Sequence, residues 1–365
     1  MLTVTEYIPV GTLKMAMKVE QFYRHFRHSV RVHLSFIRNY FVLRRLKHHL
    51  KQQYPVRRFI AIMLLENMGD IVACEPVVRY INAKQPDSYI VWGVKKAYRE
   101  LIDSNPNIDY ALILHCLSER MLLIQSGVFD EVVDLHFSGR YCSLCRTPLG
   151  PSQGSARINL NNYFSHGGLL ASMSLNAELP ALDQTPNLLI PQNIVERINE
   201  LGLPEKFIAI NCASNAGEKN WLPEKWDDLI NCLFGNYGIQ VVEIGLMPIA
   251  KRKASVLDLC GKLSILESAE VLRRAAIFIG IDSGPAHLAN AVGSYGVILI
   301  GNYLGFERYN PFSGGYKDGA NATIIYSQGL VSAIQVEQVV QVVMASPGFG
   351  GLTSKDAIFD CNTRA

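Results

Sequence analysis

Twice along the chain an uninterrupted apolar run ends in a polar turn and is followed at once by a helical pattern. That repeated order limits the fold more than any other feature. "FIAIMLL" (59–65) runs into "ENMGD" and then into "IVACEPVVRYINAKQ", which reads as one helix ended by Pro86. "SYIVWGV", "DYALILH" and "EVVDLHF" follow as further strands. Residues 139–190 break the rhythm with Gly, Ser, Pro and Asn, and it resumes at "KFIAINCAS" (206–214). From there "WDDLINCLFGNYG", "IQVVEIG", "ILESAEVLRRA", "AIFIGID" and "YGVILIG" alternate as helix and strand. Strands that are apolar on both faces and separated by helices belong to parallel sheets covered on both sides. Two such α/β units in 365 residues fit a division into 56–190 and 191–347, with an extension at 1–55 and a tail at 348–365. A cleft should lie between the units, lined by the carboxyl ends of their strands.

The most specific stretch is "FIGIDSGPAHLANAV", a strand turning into a helix. Asp282 or Ser283 can cap that helix, and Pro285 suits its first turn. The helix start presents unpaired N–H groups and the positive end of a dipole, and Gly284 has no side chain to obstruct a close approach. Phosphate is the ligand such a turn suits. Three other loops fall at strand ends: "ENMGDIV" (66–72), "CASNAGEKNWLPEKW" (212–226) and "LCGKLSILES" (259–268).

Charge is unevenly distributed. Residues 1–58 hold twelve Lys and Arg against Glu6 and Glu20, a net +10 in a chain whose total is +3, which leaves −7 to the rest. Within that segment Phe22, Phe26, Val30, Leu34, Ile37 and Phe41 recur at helical spacing, with Arg24, Arg27, Arg31 and Arg38 interleaved. The pattern suits an anionic membrane surface, or a helix packed on the protein body or on a second subunit with its basic side in water. No run reaches the ~18 uncharged apolar residues that a membrane span needs. The motifs of RNA-binding folds are missing, so a nucleic-acid partner is not expected.

The eight cysteines are scattered, and no cleavable signal peptide precedes them, which points to reduced thiols in a cytoplasm. Cys142 and Cys145 form a single Cys-x-x-Cys. A closed metal site needs two more ligands, and the loop offers no second pair, so the sequence leaves them as ordinary thiols with no metal expected.

The ordered set "MGDIVACEPVVRYI", "EKNWLPEKWDDLI", "CGKLSILESAEVLRRA" and "IGIDSGPAHLANAVG" followed by "VILIGN" resembles the ADP-heptose:lipopolysaccharide heptosyltransferase family, glycosyltransferase family 9. The likeness runs over about residues 58–345. It implies a GT-B architecture of two Rossmann-like domains and an inverting, metal-independent transfer of a sugar from a nucleotide diphosphate to an acceptor hydroxyl. ADP-heptose is the donor and a cell-surface glycan or lipopolysaccharide the acceptor that it suggests, at the cytoplasmic face of the membrane. Asp70 matches the family's catalytic aspartate. For the leaving diphosphate the expected donors are the N–H groups at Ser283 and Gly284, with Lys219 and His287 beside them, Asp282 bracing the turn and Ser214 adding a hydroxyl. The chain departs from the family after "QVVEIG", where "LMPIAKRKAS" replaces a glycine-rich acidic stretch, which leaves the base and sugar open. A sugar-nucleotide epimerase of similar fold and a non-catalytic nucleotide-sugar-binding scaffold are the competing readings.

Overall fold

In this computed structural model, residues 10–142, 144–145, 158–251, 255–303 and 306–351 are described. The chain begins with a long helix, α1 (Val10–Gln53), and then builds a first parallel sheet. Its elements are β1 (Phe59–Met63), α2 (Met68–Ala73), α3 (Glu75–Lys84), β2 (Tyr89–Lys95), α4 (Arg99–Asp103), β3 (Tyr110–Leu114), α5 (Leu117–Gln125) and β4 (Glu131–Asp134). Two helices, α6 (Leu169–Asn176) and α7 (Gln192–Asn199), lead to the second sheet. That sheet comprises β5 (Phe207–Asn211), α8 (Pro223–Tyr237), β6 (Gln240–Glu243), β7 (Val256–Asp258), α9 (Ile265–Arg274), β8 (Ile277–Ile281), α10 (Gly284–Ala291), β9 (Gly296–Ile300), α11 (Gly315–Asp318), β10 (Ala322–Tyr326) and α12 (Val336–Ala345).

The strand orders are β3-β2-β1-β4 and β10-β9-β8-β5-β6-β7, and every pair is parallel. The all-apolar strands β1, β8 and β9 are buried along their whole length, as strands covered on both faces must be. Strand order reverses beside β1, which lies between β2 and β4, and beside β5, which lies between β8 and β6. At such reversals the following loops diverge to opposite faces and open a crevice at the strands' carboxyl ends. The loops carrying Asp70 and Lys219 follow these two strands.

The helix read from residue 71 to 85 is in fact two. Cys74 N–H still bonds Asp70 O at 3.1 Å, but Pro76 has no N–H to continue the ladder, and α3 starts afresh with that proline in its first turn. The break keeps α2 short, so its N-terminus and Asp70 point into the cleft while α3 packs against the sheet.

α1 docks by a face other than its apolar stripe. Val32, Ser35, Asn39, Leu43 and Leu50 dock on the first sheet, and Asn39 Nδ2 donates to Ile113 O at 3.1 Å and to Glu119 Oε1 at 2.9 Å. Lys47 and Lys51 pair with Asp130 at 2.6 and 3.1 Å. The stripe containing Phe22, Phe26, Leu34 and Phe41 is left outside, each of these 57–66% exposed.

The two units meet through backbone as well as core. Glu100 of α4 accepts the first N–H groups of α9, from Ile265 at 2.9 Å and Leu266 at 3.4 Å, satisfying donors that a helix leaves unpaired. Glu75 accepts Asn187 N–H at 2.9 Å, and Leu169 N–H bonds Pro311 O at 3.0 Å. Ile71 and Val72 of α2 share one core with Leu288 and Ala289 of α10.

Candidate active site

The N-termini of α2 and α10 approach each other across the cleft floor. A Cβ on Gly69 would lie 2.9 Å from His287 Cδ2 and 3.3 Å from Gly284 Cα. One on Gly284 would lie 2.4 Å from Met68 Cε and 3.6 Å from Gly69 N. Only glycines allow two helix ends to come this close.

On the first side, Asp70 is the third residue of α2, and its Oδ2 accepts the N–H of the N-cap residue Asn67 at 3.0 Å. The carboxylate keeps part of its surface open to the cleft but is densely surrounded. Burial first, and then the nearby Glu66 carboxylate, push its pKa up to about 6 against the opposing pull of the Asn67 hydrogen bond and Arg140. A carboxylate poised there is a competent base at neutral pH. Glu66 is itself buried and pairs with Arg140 at 2.9 Å. Beneath them His136, 1% exposed, accepts Leu65 N–H on Nε2 at 2.8 Å. Its Nδ1 therefore carries the proton and donates to Asp134 at 2.8 Å, while Arg120 holds the other Asp134 oxygen. Burial works to raise the Asp134 pKa, but His136 and Arg120 outweigh it and hold it below the usual range. This relay anchors the end of β1 immediately before the loop that bears Asp70.

On the other side, neither Asp282 nor Ser283 caps α10 with its side chain, contrary to the local reading. Ser283 Oγ turns away to donate to Asn211 Oδ1 at 2.9 Å, and Asn211 is held in turn by its Nδ2 on Ile244 O at 3.0 Å. Asp282 instead binds Lys219 Nζ at 2.5 Å. Ala286 N–H closes onto Ser283 O at 3.1 Å, and Pro285 has no N–H, so Ser283 and Gly284 carry the donors that face outward. Lys219 also lies over the Tyr303 ring, 4.5 Å from its centroid. An ammonium has three donors, so its pairing with Asp282 leaves capacity for an anion.

Ser214 takes a different part from the one expected, and His287 is more enclosed than the donors beside it. The Ser214 hydroxyl is engaged inside its own loop, with Ala216 O at 2.8 Å and Asn220 Oδ1 at 2.9 Å, so it braces the turn that carries Lys219. His287 is 3% exposed and packs on Phe312. Burial lowers its pKa to about 4, so at neutral pH it is an uncharged ring offering one N–H rather than a cation.

Sequence reasoning missed an aromatic wall. Tyr163 packs edge to face on Phe164, Phe306 and Tyr309, as does Phe306 on Tyr309, with centroids 5.6–6.1 Å apart, and Phe164 lies tilted on Phe306 at 3.8 Å. Burial, with Asp282 and Asp70 nearby, pushes the Tyr163 hydroxyl up to about 12 and Tyr309 higher still. The Tyr309 hydroxyl is buried and has no hydrogen-bond partner among the described residues. Tyr163 and Phe164 come from the stretch that showed no periodicity, and only their aromatic density marked them. Beyond β6, Glu243 accepts the N–H groups of Ile249 at 2.8 Å and Ala250 at 3.3 Å, folding the atypical "LMPIA" loop back while Leu246 and Met247 stay exposed.

The Cys142–Cys145 loop also departs from expectation. His28 of α1 and Cys116 at the start of α5 join the pair, and the four ligand atoms lie within 4.8 Å of one another.

A cleft between two parallel sheets, with a raised carboxylate on one wall and an open helix end on the other, is the layout of a group-transfer enzyme acting on an anionic donor. The family model for glycosyltransferase family 9 (heptosyltransferase) matches residues 169–303. The lipopolysaccharide core heptosyltransferase OpsX of Haemophilus influenzae is 22% identical over 331 residues, covering 77% of this chain and 94% of its own. Among solved structures, the family 9 glycosyl transferase of Veillonella parvula superposes with a TM-score of 0.60 at 18% identity, covering 79% of this chain and 96% of that one. ADP-heptose lps heptosyltransferase II of E. coli gives 0.59 at 16%, covering 79% and 98%. The resemblance to glycosyltransferase family 9 is thereby borne out, and the protein is a glycosyltransferase.

Proposed function

We propose that the enzyme moves a heptose from ADP-heptose to a lipopolysaccharide or related cell-surface glycan, with inversion and with no metal in the chemical step. The observation that carries this reading is the pairing of Asp70, raised to about 6, with the open α10 N-terminus on the facing wall. An acceptor hydroxyl bound beside Asp70 gives up its proton to the carboxylate as its oxygen attacks the anomeric carbon. The bond from that carbon to the diphosphate oxygen breaks on the opposite side, and the nucleoside diphosphate leaves with the electron pair. The N–H groups of Ser283 and Gly284, the Lys219 ammonium and one N–H of His287 meet the charge that develops there, and fixed donors of this kind lower the barrier. The buried Tyr309 hydroxyl, without a partner among the described residues and near Asp282 and Asp70, is assigned as a contact for a sugar hydroxyl. Heptose and ADP are favoured by the names of the relatives, the Haemophilus enzyme and the E. coli transferase.

The enzyme works on the cytoplasmic side, held to anionic lipid by α1. Supporting this are the exposed Phe22, Phe26, Leu34 and Phe41 and a groove of about 530 Å³ beside them lined by Arg27, Arg31, Arg38 and His115. Among the described residues no helix is long and apolar enough to cross a membrane.

The deciding experiment is an acceptor-dependent transfer assay with ADP-heptose, beside a thermal-shift comparison of ADP, UDP and GDP. A ligand that binds only the folded state raises its melting temperature. Transfer product plus released ADP supports the reading. Conversion of the nucleotide sugar without acceptor and without ADP release would make it an epimerase, and stabilisation by ADP without turnover a scaffold. For the membrane, sedimentation with anionic vesicles is expected to fall when Arg27, Arg31 and Arg38 are replaced by Gln, each basic residue contributing about 1 kcal/mol. Equal sedimentation of both proteins would remove the membrane from the proposal.

A further inference from the structure

We propose that His28, Cys116, Cys142 and Cys145 bind one divalent metal ion through three thiolates and an imidazole, and that this ion clamps α1 and the loop after β4 to the first sheet. The four residues come from three segments remote in sequence, yet their ligand atoms lie within 4.8 Å of one another. Two separations decide the chemistry. Cys116 Sγ is 3.8 Å from Cys145 Sγ, and Cys142 Sγ is 3.7 Å from His28 Nε2. Metal–sulfur bonds of about 2.3 Å and metal–nitrogen bonds of about 2.0 Å, set at the tetrahedral angle, require about 3.8 Å between sulfurs and about 3.6 Å between sulfur and nitrogen. A closed Cys₃His tetrahedron of this kind suits zinc best, and iron is the other ion that thiolates would hold here.

The surroundings offer backbone donors to the sulfurs. Cys145 N–H points at Cys142 Sγ, 3.4 Å away, so the Cys-x-x-Cys turn places a backbone donor on the first sulfur. Cys116 is the N-cap of the nine-residue α5, so its sulfur sits beside the unpaired N–H groups at the start of that helix. Cys116 and Cys142 are at most 9% exposed. Among the described residues apolar packing offers little else to hold this corner, since the local cluster consists of Val32, Cys116 and Cys142 with Leu122 and Cys145 against it. His25 on the same helix reaches Leu144 O, so α1 meets the turn twice.

The position explains what the ion would do. His28 extends by one turn the docked face of α1 formed by Val32, Ser35, Asn39 and Leu43. On the other side Arg140, whose guanidinium pairs with Glu66 in the Asp70 loop, lies two residues before Cys142. The ion therefore secures both the helix and the loop that delivers Arg140. No step of sugar transfer is routed through it, and the proposal stands whether or not heptose is the sugar transferred.

The test is elemental analysis of the full-length protein, purified without a metal-affinity column and passed through metal-free buffer. About one ion per chain is expected in the wild type, and the same analysis reads zinc apart from iron. His28→Ala and Cys142→Ser should each lower the content about fivefold or more, whereas His28→Cys, which restores a fourth thiolate, and Cys232→Ser, away from the cluster, should keep it. Co(II) added to the metal-free protein should give the visible absorption and thiolate charge-transfer bands of a tetrahedral site. Less than about a tenth of an ion in the wild type after zinc has been offered overturns the proposal, as does full metal content in the His28→Ala and Cys142→Ser variants. A Cys116–Cys145 disulfide found by non-reducing peptide mapping of freshly purified protein overturns it as well.

Discussion

The helix starts of α2 and α10 are built from the same parts, each a buried strand, a short polar turn and a first turn containing glycine, yet they finish in opposite electrostatic states. α2 has Asn67 at its N-cap and Asp70 at the third helical position, where the carboxylate accepts the Asn67 N–H. α10 has Ser283 at its N-cap and Ala286 at the third position, and its capping hydroxyl is drawn away by Asn211. One end carries its own anion and the other is left to receive one. A single side chain, Asp against Ala, separates a proton acceptor from an anion seat, and the two glycines bring them close enough to act on one substrate. The lesson is that a capping position left unfilled is as informative as a filled one.

Removing the carboxylate that distinguishes the two ends should have the largest effect. Asp70→Asn keeps size and an oxygen to accept the Asn67 N–H, so α2 survives, but a neutral amide cannot take the acceptor's proton. Turnover is expected to fall ~10²–10⁴-fold with donor affinity nearly unchanged. In the wild type, kcat/KM should rise with pH and level off above about 6, following the raised Asp70 carboxyl. Normal turnover in the variant would reduce Asp70 to a cap.

The anion seat is tested by Lys219→Ala. Loss of a charge-assisted contact, at roughly 1.5–3 kcal/mol, corresponds to about 10–100-fold weaker nucleoside diphosphate binding. The nucleoside alone should bind nearly as before. Because the substitution also frees Asp282 beside the phosphates, Asp282→Asn in the same background should recover part of the loss. Equal weakening for nucleoside and diphosphate in calorimetry places Lys219 elsewhere. His287→Gln should weaken diphosphate binding only a few-fold, since the uncharged ring contributes a single N–H among several donors.

Much of this comparison was legible before any coordinates. Apolar runs such as "FIAIM" and "IFIGI" became strands because a parallel strand covered on both faces must be apolar throughout, and loops at strand ends could be ordered without knowing the sheet. Less legible was everything set by contacts distant in sequence. β7 and β10 are edge strands of three and five residues with partly exposed faces, so they carry no strong pattern. The apolar stripe on α1 was visible, but the face by which the helix docks was not, because Ser35 and Asn39 form part of it through hydrogen bonds rather than apolar area. The pair Cys142 and Cys145 offered only half of a ligand set because the other half lies 26 and 114 residues away in sequence, at Cys116 and His28. Asn211 and His136 were missed for the same reason, since each holds a loop that it does not belong to.

The finest test of the paired helix ends is the dependence of stability on pH, where Asp70 and His287 act in opposite directions. His287 has a folded value of about 4 against an ordinary 6.5. As pH falls through that window the unfolded chain takes up the proton first, and stability is lost, on the order of 3 kcal/mol at most. Asp70 has a folded value of about 6 against an ordinary 3.8. Here the folded state takes the proton first, so stability is gained as pH falls through 6 and is spent again as the carboxylate ionises above it. Partial exposure of Asp70 reduces that effect to roughly 1–2 kcal/mol. In the wild type the two trends offset each other between about pH 4 and 6, and the melting temperature should be nearly flat there. Asp70→Asn removes one of them. The variant should melt a few degrees above the wild type at pH 8, lose that advantage steadily below about pH 6, and show the unopposed acid loss from His287. His287→Gln should show the reverse slope, gaining on the wild type as the medium becomes more acidic, whatever its melting temperature at neutral pH. If the difference between Asp70→Asn and the wild type stays constant from pH 4 to 8, the carboxylate is not raised by its burial and by Glu66, and the case for Asp70 as a base poised near neutral pH falls with it.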